Sequence, residues 1–287
     1  MEKVENNIQD TRQADKHPVD GLVSLRPEVL NKIHLGDSFE FLESCPPNVF
    51  DLILEDMPYN TTACDWDVKI DLELYWKTRL RVLKPTGVVV LTSSQPFTTD
   101  LISSKRELFK YEIIWIKNKF TNFMQAKKMF MRNHENILVF YKKQPTFNPI
   151  KRKIHKHGKT YNSFSTKIYN VVNKKNYSGN HPEDLMGNPG STVHIENEIE
   201  SYNSSNGNQN RHPSQKPVGL FEYLIRTYTN EGDTVFDGFG GSGTTAIAAY
   251  RSNRNFIVVE KEKKYFELSK KRLAEEQQQC RLFTASN

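Results

Sequence analysis

Cysteine is scarce in this chain, with three in 287 residues, at Cys45, Cys64 and Cys280. None belongs to a C-x-x-C pair, and no histidine stands at a spacing typical of zinc. That excludes a disulfide framework or a zinc centre as the source of stability. The cysteines read as reduced structural residues of a cytosolic protein. Long apolar runs are missing as well. No stretch approaches the roughly 20 residues of a membrane span. The first twenty residues, "MEKVENNIQDTRQADKHPVD", are too polar and acidic for a secretory signal. A soluble, cytoplasmic chain with neither metal nor membrane partner is expected. Acidic side chains are absent from one long segment: residues 151–180 hold eight Lys or Arg and no Asp or Glu.

What is present points to one large α/β domain with an insertion. At 287 residues and 37% hydrophobic content, the chain is long enough to bury a core. A net charge of +6 and a pI near 9.0 favour an anionic partner, with nucleic acid ahead of a membrane surface. Residues 1–27 lack periodicity and read as a flexible arm. Over 28–144, strands are expected at "NKIHLGD", "VFDLILEDMPY", "GVVVLTSS", "YEIIWIKN" and "ENILVFYKK". The last two are close enough to form an antiparallel pair at one edge. Helices are expected at "SFEFLESC", with Ser38 able to cap its start, and at "DLELYWKTRLRVLKPTG", closed by Pro85 and Gly87.

Residues 145–210 carry little apolar periodicity and many Asn, Ser, Lys and Gly. Within them, Tyr161, Phe164, Tyr169 and Tyr177 alternate with the basic residues, which suits a surface that meets phosphates and stacks bases. Residues 211–287 resume the pattern, with helix, strand and glycine turn ("DTVFDGFGG"), helix, strand ("NFIVVEKE") and a last helix. Strands alternating with helices predict a mostly parallel, doubly wound sheet covered on both faces.

Two stretches carry chemistry. "GFGGSG", from Gly238 to Gly243, satisfies G-x-G-x-x-G between a strand and a helix, and Glu260 follows seventeen residues later. That is the dinucleotide fingerprint on pattern alone. Fewer than fifty residues remain after Gly243, too few for the rest of a dinucleotide fold. Asp237 at the strand's tip and "TT" opening the helix suit a smaller ligand with an amino acid part and one nucleoside. Helix-start N–H groups bind a carboxylate, Asp237 meets an ammonium, and Glu260 accepts from ribose hydroxyls. S-adenosylmethionine has all three groups. The second stretch is "EDMPYN" at 55–60, where a buried strand ends in a carboxylate, Met-Pro and an aromatic ring.

The order of these motifs resembles a known family. "DMPY" comes first, then the variable segment, then "HPSQKP", then "DGFGGSGTT". The chain looks like the permuted, beta-class DNA amino-methyltransferases, which show D-P-P-Y, a target-recognition segment, H-P-T-Q-K-P and D-P-F-x-G-S-G-T-T in that order. The match spans about residues 30–275 outside the insertion. Gly36-Asp37 and "NHENILVF" at 133–140 also resemble family segments.

The resemblance implies a Rossmann-like methyltransferase fold, a mostly parallel seven-stranded sheet that is circularly permuted. The catalytic domain would be 28–144 together with 211–287, and 145–210 a target-recognition insertion. S-adenosylmethionine would be the cofactor, held by Asp237, Gly238, Phe239, Gly240, Ser242, Gly243, Thr244 and Glu260. Asp37 would lie near its adenine, and His212, Ser214 and Lys216 would line its methionine end. Asp56 and the Met57 carbonyl would accept the hydrogens of an exocyclic amine, Pro58 would hold Met57 extended, and Tyr59 would stack on a base flipped out of duplex DNA. Lys151, Arg152, Lys153, Lys156 and Lys159 would meet DNA phosphates. Met57 and Gly238 depart from the family, which has proline at both places; a backbone carbonyl from Met and a glycine in a turn should both be tolerated. Adenine N6 is favoured over cytosine N4 by the Asp heading the motif. An RNA methyltransferase and a catalytically silent DNA-binding module are the remaining alternatives. By analogy the enzyme would be nucleoid-associated, and a homodimer is plausible.

Overall fold

The structure is a computed structural model, which describes residues 25–59, 69–121, 123–153, 186–195 and 215–285. The first strands are β1 (Lys32–Leu35), β2 (Phe50–Glu55) and β3 (Leu83–Ser93), followed by β4 (Phe109–Thr121) and β5 (Arg132–Phe140). Among the described residues, the two-residue strands β6 (Arg152–Lys153) and β7 (Met186–Gly187) pair only with each other. They are followed by β8 (Thr192–His194), β9 (Thr234–Asp237) and β10 (Asn255–Glu260). The main sheet has the order β1-β10-β9-β2-β3-β5-β4-β8. Strand β5 runs against β3 and β4, and the other described pairings of this sheet are parallel.

The eighth strand exceeds the expected seven because Thr192–His194, from within 145–210, pairs along the outer edge of β4. The expected antiparallel pair is β4–β5, with β5 inserted between β3 and β4. Strands β9 and β10 come last in the chain yet lie beside β1 and β2, so the glycine turn at Asp237 and the carboxylate at Asp56 end neighbouring strands.

Period-two alternation divides the strands between two cores. Leu52, Leu54, Val88, Val90, Val235 and Val258 face α4 (Val218–Tyr228), α5 (Thr244–Arg251) and α6 (Lys263–Ala285). Ile53, Val89, Leu91, Phe236 and Ile257 face α1 (Ser38–Glu43), α2 (Leu72–Val82) and α3 (Phe97–Ser104). Both faces of the sheet are therefore covered, as continuous apolar strands require.

Two local readings change. The N-cap of α1 is Asp37, whose Oδ1 accepts from the Phe39 amide at 2.8 Å; Ser38 is already helical. Helix α2 ends at Val82, before Pro85 and Gly87, because Leu83 is extended and opposite Phe50 in the sheet. The register then shifts between Phe50↔Leu83 and Leu52↔Val88, which places Pro85 in an irregular strand start. Helix α3 carries no expectation from the sequence. Among the described residues no helix is long and apolar enough to cross a membrane.

Candidate active site

Glu55 and Asp56 are consecutive, so the pleat sends their side chains in opposite directions. Glu55 is fully buried and Asp56 opens on the cleft at the strand's end. Strand β3 lies next to β2 with Glu55 opposite Leu91, which brings Thr92 beside Asp56. The Thr92 hydroxyl donates to Asp56 Oδ1. Tyr59 Oη donates to the same oxygen at 2.9 Å, and its ring lies 5.5 Å from that of Phe97. Lys216 Nζ donates to the other oxygen, Oδ2, at 2.7 Å.

A carboxylate oxygen offers about two lone-pair sites. Among the described residues, two donors fill Oδ1, and one donor leaves Oδ2 with a site to spare. Asp56 is thus rigidly oriented and still able to accept one more hydrogen.

Lys216 is held from behind. Because β5 runs antiparallel, its first residues reach the edge where the parallel strands end, and Glu135 Oε2 lies 3.4 Å from Lys216 Nζ. Glu135 Oε1 pairs with Lys117 of β4. Burial alone would discharge the Lys216 ammonium, but Asp56 and Glu135 outweigh it and hold its pKa well above the usual lysine value. Burial likewise works against the Glu135 carboxylate, and Lys216 and Lys117 hold its pKa below normal. The result is an alternating row of four charges, Lys117–Glu135–Lys216–Asp56, each compensated in a poorly solvated place.

The second half of the site is the turn after β9. Asp237 is 3% exposed; its Oδ1 accepts from the Phe239 amide at 2.9 Å and its Oδ2 from the Thr245 hydroxyl. Burial pushes its carboxyl up to about 8, with the negative charges of Glu55 and Asp56 adding to the effect and Thr245 and Phe239 opposing it. Glu260 Oε2 accepts from the Gly241 amide at 2.6 Å and Oε1 from the Glu262 amide at 2.7 Å. Burial raises its pKa, and those two amides only partly offset the rise. Gly240 donates to Val259 O, and a Cβ on it would stand 2.4 Å from Val258 Cγ1, so the turn lies flat on β10 only with glycine there.

Asp37, Asp56, Asp237 and Glu260 line one cleft of about 420 Å³ with Met57, Pro58, Tyr59 and Lys216. Gly238, Phe239, Gly240, Ser242 and Thr244 line it too. Gly243 does not: at φ +79° it starts α5, and a Cβ there would stand 2.8 Å from Ser269 Cβ of α6. Met57 is buried in the core beneath the cleft. His212, Ser214, Lys156 and Lys159 lie outside the described residues, as do Cys64 and the four interleaved aromatics. Lys151 is exposed, and Arg152 and Lys153 form β6. None of these three lines the cleft. Sequence reasoning missed Thr92, Glu135 and Lys117, which the adjacency of β2, β3 and β5 at one edge would have suggested. It also missed the apolar walls Phe39, Ile70 and Leu74 and the aromatic Tyr265, which no motif marks.

The N6_N4_Mtase family model, DNA methylase, matches residues 50–271. The chain belongs to this family. It is 31% identical over 253 residues to DNA adenine methyltransferase YhdJ of Escherichia coli K12, covering 83% of this chain and 81% of that one. It is 29% identical over 253 residues to the type II methyltransferase M.HpaI of Haemophilus parainfluenzae, covering 84% and 73%. Among solved structures, the M1.HpyAVI–SAM complex superposes with a TM-score of 0.55 at 25% identity, covering 84% of this chain and 99% of that one.

The cofactor of this methylase is S-adenosylmethionine, and the cleft fits it. A buried carboxyl with its pKa near 8 calls for a cation, and an ammonium beside Asp237 supplies one. The start of α5 offers backbone N–H groups to a carboxylate. Among the described residues two amides donate to the Glu260 carboxyl, which leaves lone pairs for hydroxyls, and Phe39, Ile70 and Leu74 offer an apolar slot to a planar base.

A pH-dependent signature follows. With a pKa near 8, Asp237 is mostly protonated at pH 7 in the free methylase and must ionise beside an ammonium. Cofactor binding at pH 7 should release a large fraction of one proton, and the release should fade above pH 9. Calorimetry in buffers of different ionisation enthalpy measures it. Asp237→Asn should abolish the release and weaken binding about tenfold, on the scale of a charge-assisted hydrogen bond. The same raised pKa means the Asp237 contribution to fold stability is full below about pH 4, the ordinary aspartate value, and is lost as pH rises through 8.

Proposed function

We propose that the chain methylates the exocyclic N6 of adenine in duplex DNA at a specific sequence, with the target base turned out of the helix. The observation that carries this reading is the acceptor site on Asp56 Oδ2 that no donor among the described residues fills, in the cleft shared with the glycine turn. An exocyclic amine is a poor nucleophile because its lone pair is delocalised into the ring. Asp56 Oδ2 accepts one amine hydrogen and the Met57 carbonyl the other, which favours a pyramidal nitrogen and aims its lone pair into the cleft. S-adenosylmethionine supplies an electrophilic methyl group on a sulfonium. As the nitrogen gains that methyl its remaining protons become acidic, and Asp56 is the acceptor within reach of the one it sheds. Rate enhancement then comes from positioning and fixed charge. Tyr59, tethered at its hydroxyl, offers its ring to the base. The adenine specificity that the relative YhdJ carries in its name supports adenine over cytosine, as does Asp at the head of the motif.

Segment 145–210 is assigned to target recognition and the remainder of 28–287 to catalysis, in a cytoplasmic, nucleoid-associated enzyme that acts as a homodimer. Neutralising Lys151, Arg152 and Lys153 together should weaken DNA binding and reduce the salt slope by about 2–3, roughly 0.9 for each phosphate no longer neutralised. An unchanged slope would make that stretch a solvated loop. The deciding experiment is incubation with S-adenosylmethionine and unmethylated mixed-sequence DNA, followed by nucleoside mass spectrometry. N6-methyladenine supports the proposal. N4-methylcytosine would keep the site and overturn the base, and methylation of structured RNA alone would overturn the substrate.

A further inference from the structure

We propose that the tip of the β4–β5 hairpin is a DNA wedge: its exposed Phe and Met side chains enter the base stack beside the target and hold the gap open while the base is in the cleft. The inference rests on the DNA-methylating reading above. Phe120, Phe123, Met124, Met129, Phe130 and Met131 are all solvent-exposed, Phe130 fully and Met124 at 89%. Six large apolar side chains within twelve residues at the hairpin's tip are costly to leave in water, and exposed apolar residues gathered in this way mark a contact surface.

Its place in the fold says which contact. Strand β4 runs parallel to β3, so its C-terminal end reaches the sheet edge that carries Asp56. The hairpin's base is fastened there. Lys117 pairs with Glu135, which faces Lys216. Arg132 donates to the Ser94 hydroxyl, and Thr121 Oγ1 donates to Arg132 O at 3.1 Å. The tip therefore projects from the same sheet edge as Asp56, the edge at which the proposed target base enters.

Its charge selects the partner. From Lys117 to His134 the sequence holds Lys117, Lys119, Lys127, Lys128 and Arg132 and no acidic residue. Lys127 and Lys128 are exposed beside the apolar side chains. Lysines around an apolar point suit a polyanion whose interior is an apolar stack, and Phe and Met are residue types that wedge between base steps. A second copy of the chain is disfavoured, because in a two-fold contact the same lysines would face one another.

The test begins with sequencing of methylated DNA to locate the target site. Two duplexes are then made, one fully paired and one in which the target base faces an abasic position, where opening is already cheap. Phe130→Ala combined with Met129→Ala and Met131→Ala should slow methylation of the paired duplex about 10- to 100-fold, the scale of losing support for one unstacked step. The abasic duplex should restore most of the wild-type rate, with cofactor affinity unchanged on both. Equal loss on the two duplexes, no loss on either, or loss accompanied by a change in oligomeric state would overturn the wedge. In the last case the tip is a protein interface. Failure of the underlying reading looks different, since the wild type itself would then methylate no DNA.

Discussion

Asp56→Ala is expected to lower methyl transfer by about 10³-fold or more, the upper range for loss of one preorganised electrostatic contact, while cofactor affinity stays near the wild-type value. The asymmetry comes from where the side chain stands. Asp56 contacts Tyr59, Thr92 and Lys216, and none of these belongs to the glycine turn that faces the cofactor. Removing it leaves Lys216 still paired with Glu135, so no buried charge is orphaned and the fold should survive. Asp56→Asn sharpens the result. It keeps the size and one acceptor, but its amide NH₂ meets a donor in Lys216 or in the target amine. Transfer should remain low, and restored activity in the Asn variant would show that a neutral acceptor suffices. Methylation rate and equilibrium cofactor binding, measured side by side, separate the cases. Loss of both in Asp56→Ala would make the residue structural, and retention of both would remove it from the reaction.

The alternating architecture and the cleft's carboxylates were legible in the sequence because each depends on a local pattern. Continuous apolar strands separated by helices lead to a parallel sheet, and the motif at Asp56 and the glycine turn at Asp237 each end one of its strands. Side-chain partners from distant segments were not legible. Glu135 is third in "NHENILVF" with nothing local to distinguish it, and its role emerges only once β5 is known to run against β3. The family resemblance places Lys216 at the methionine end of the cofactor, and in the structure its ammonium binds Asp56 and Glu135 as well as lining the cleft. In the sequence Arg79 is one of several cations on an amphipathic helix, yet it is fully buried, and its partner is the residue just before Asp56. Helix α3 was missed because "FTTDLISS" mixes β-branched and polar residues without a long apolar stripe.

Arg79→Ala should destabilise the protein by about 3–5 kcal/mol, the usual cost of stripping one partner from a buried ion pair, a large share of the roughly 5–15 kcal/mol that holds a domain folded. Arg79 and Glu55 are both fully buried, joined at 3.2 Å, with the guanidinium 4.4 Å from the ring centre of Phe39 and 4.8 Å from that of Tyr75. Arg79 Nη2 also donates to Ser38 Oγ at 2.7 Å. Lysine cannot reproduce the planar fork or its stacking, so Arg79→Lys should be nearly as damaging.

The pair reaches the cofactor turn through one further bond, since the Gly238 amide donates to Glu55 Oε1 at 2.9 Å. A Cβ at Gly238 would stand 2.6 Å from Arg79 Nη2 and 2.7 Å from Glu55 Oε1. The glycine that departs from the family's proline is therefore fitted to this chain's own buried pair, and the sequence-based expectation of a merely tolerated change understates it. Gly238→Pro, which brings in the family's residue, should lower both the Tm and cofactor affinity, because proline removes the donor and fills the space. In a Glu55→Gln/Arg79→Met background the space and the charge both change, and the cost of Gly238→Pro should shrink by about 1 kcal/mol or more, within the range for residues in contact. Thermal denaturation of the four proteins in this cycle gives the coupling directly. A coupling of zero would mean that the turn and the buried pair are energetically separate, and that Gly238 answers only to the backbone of its own turn.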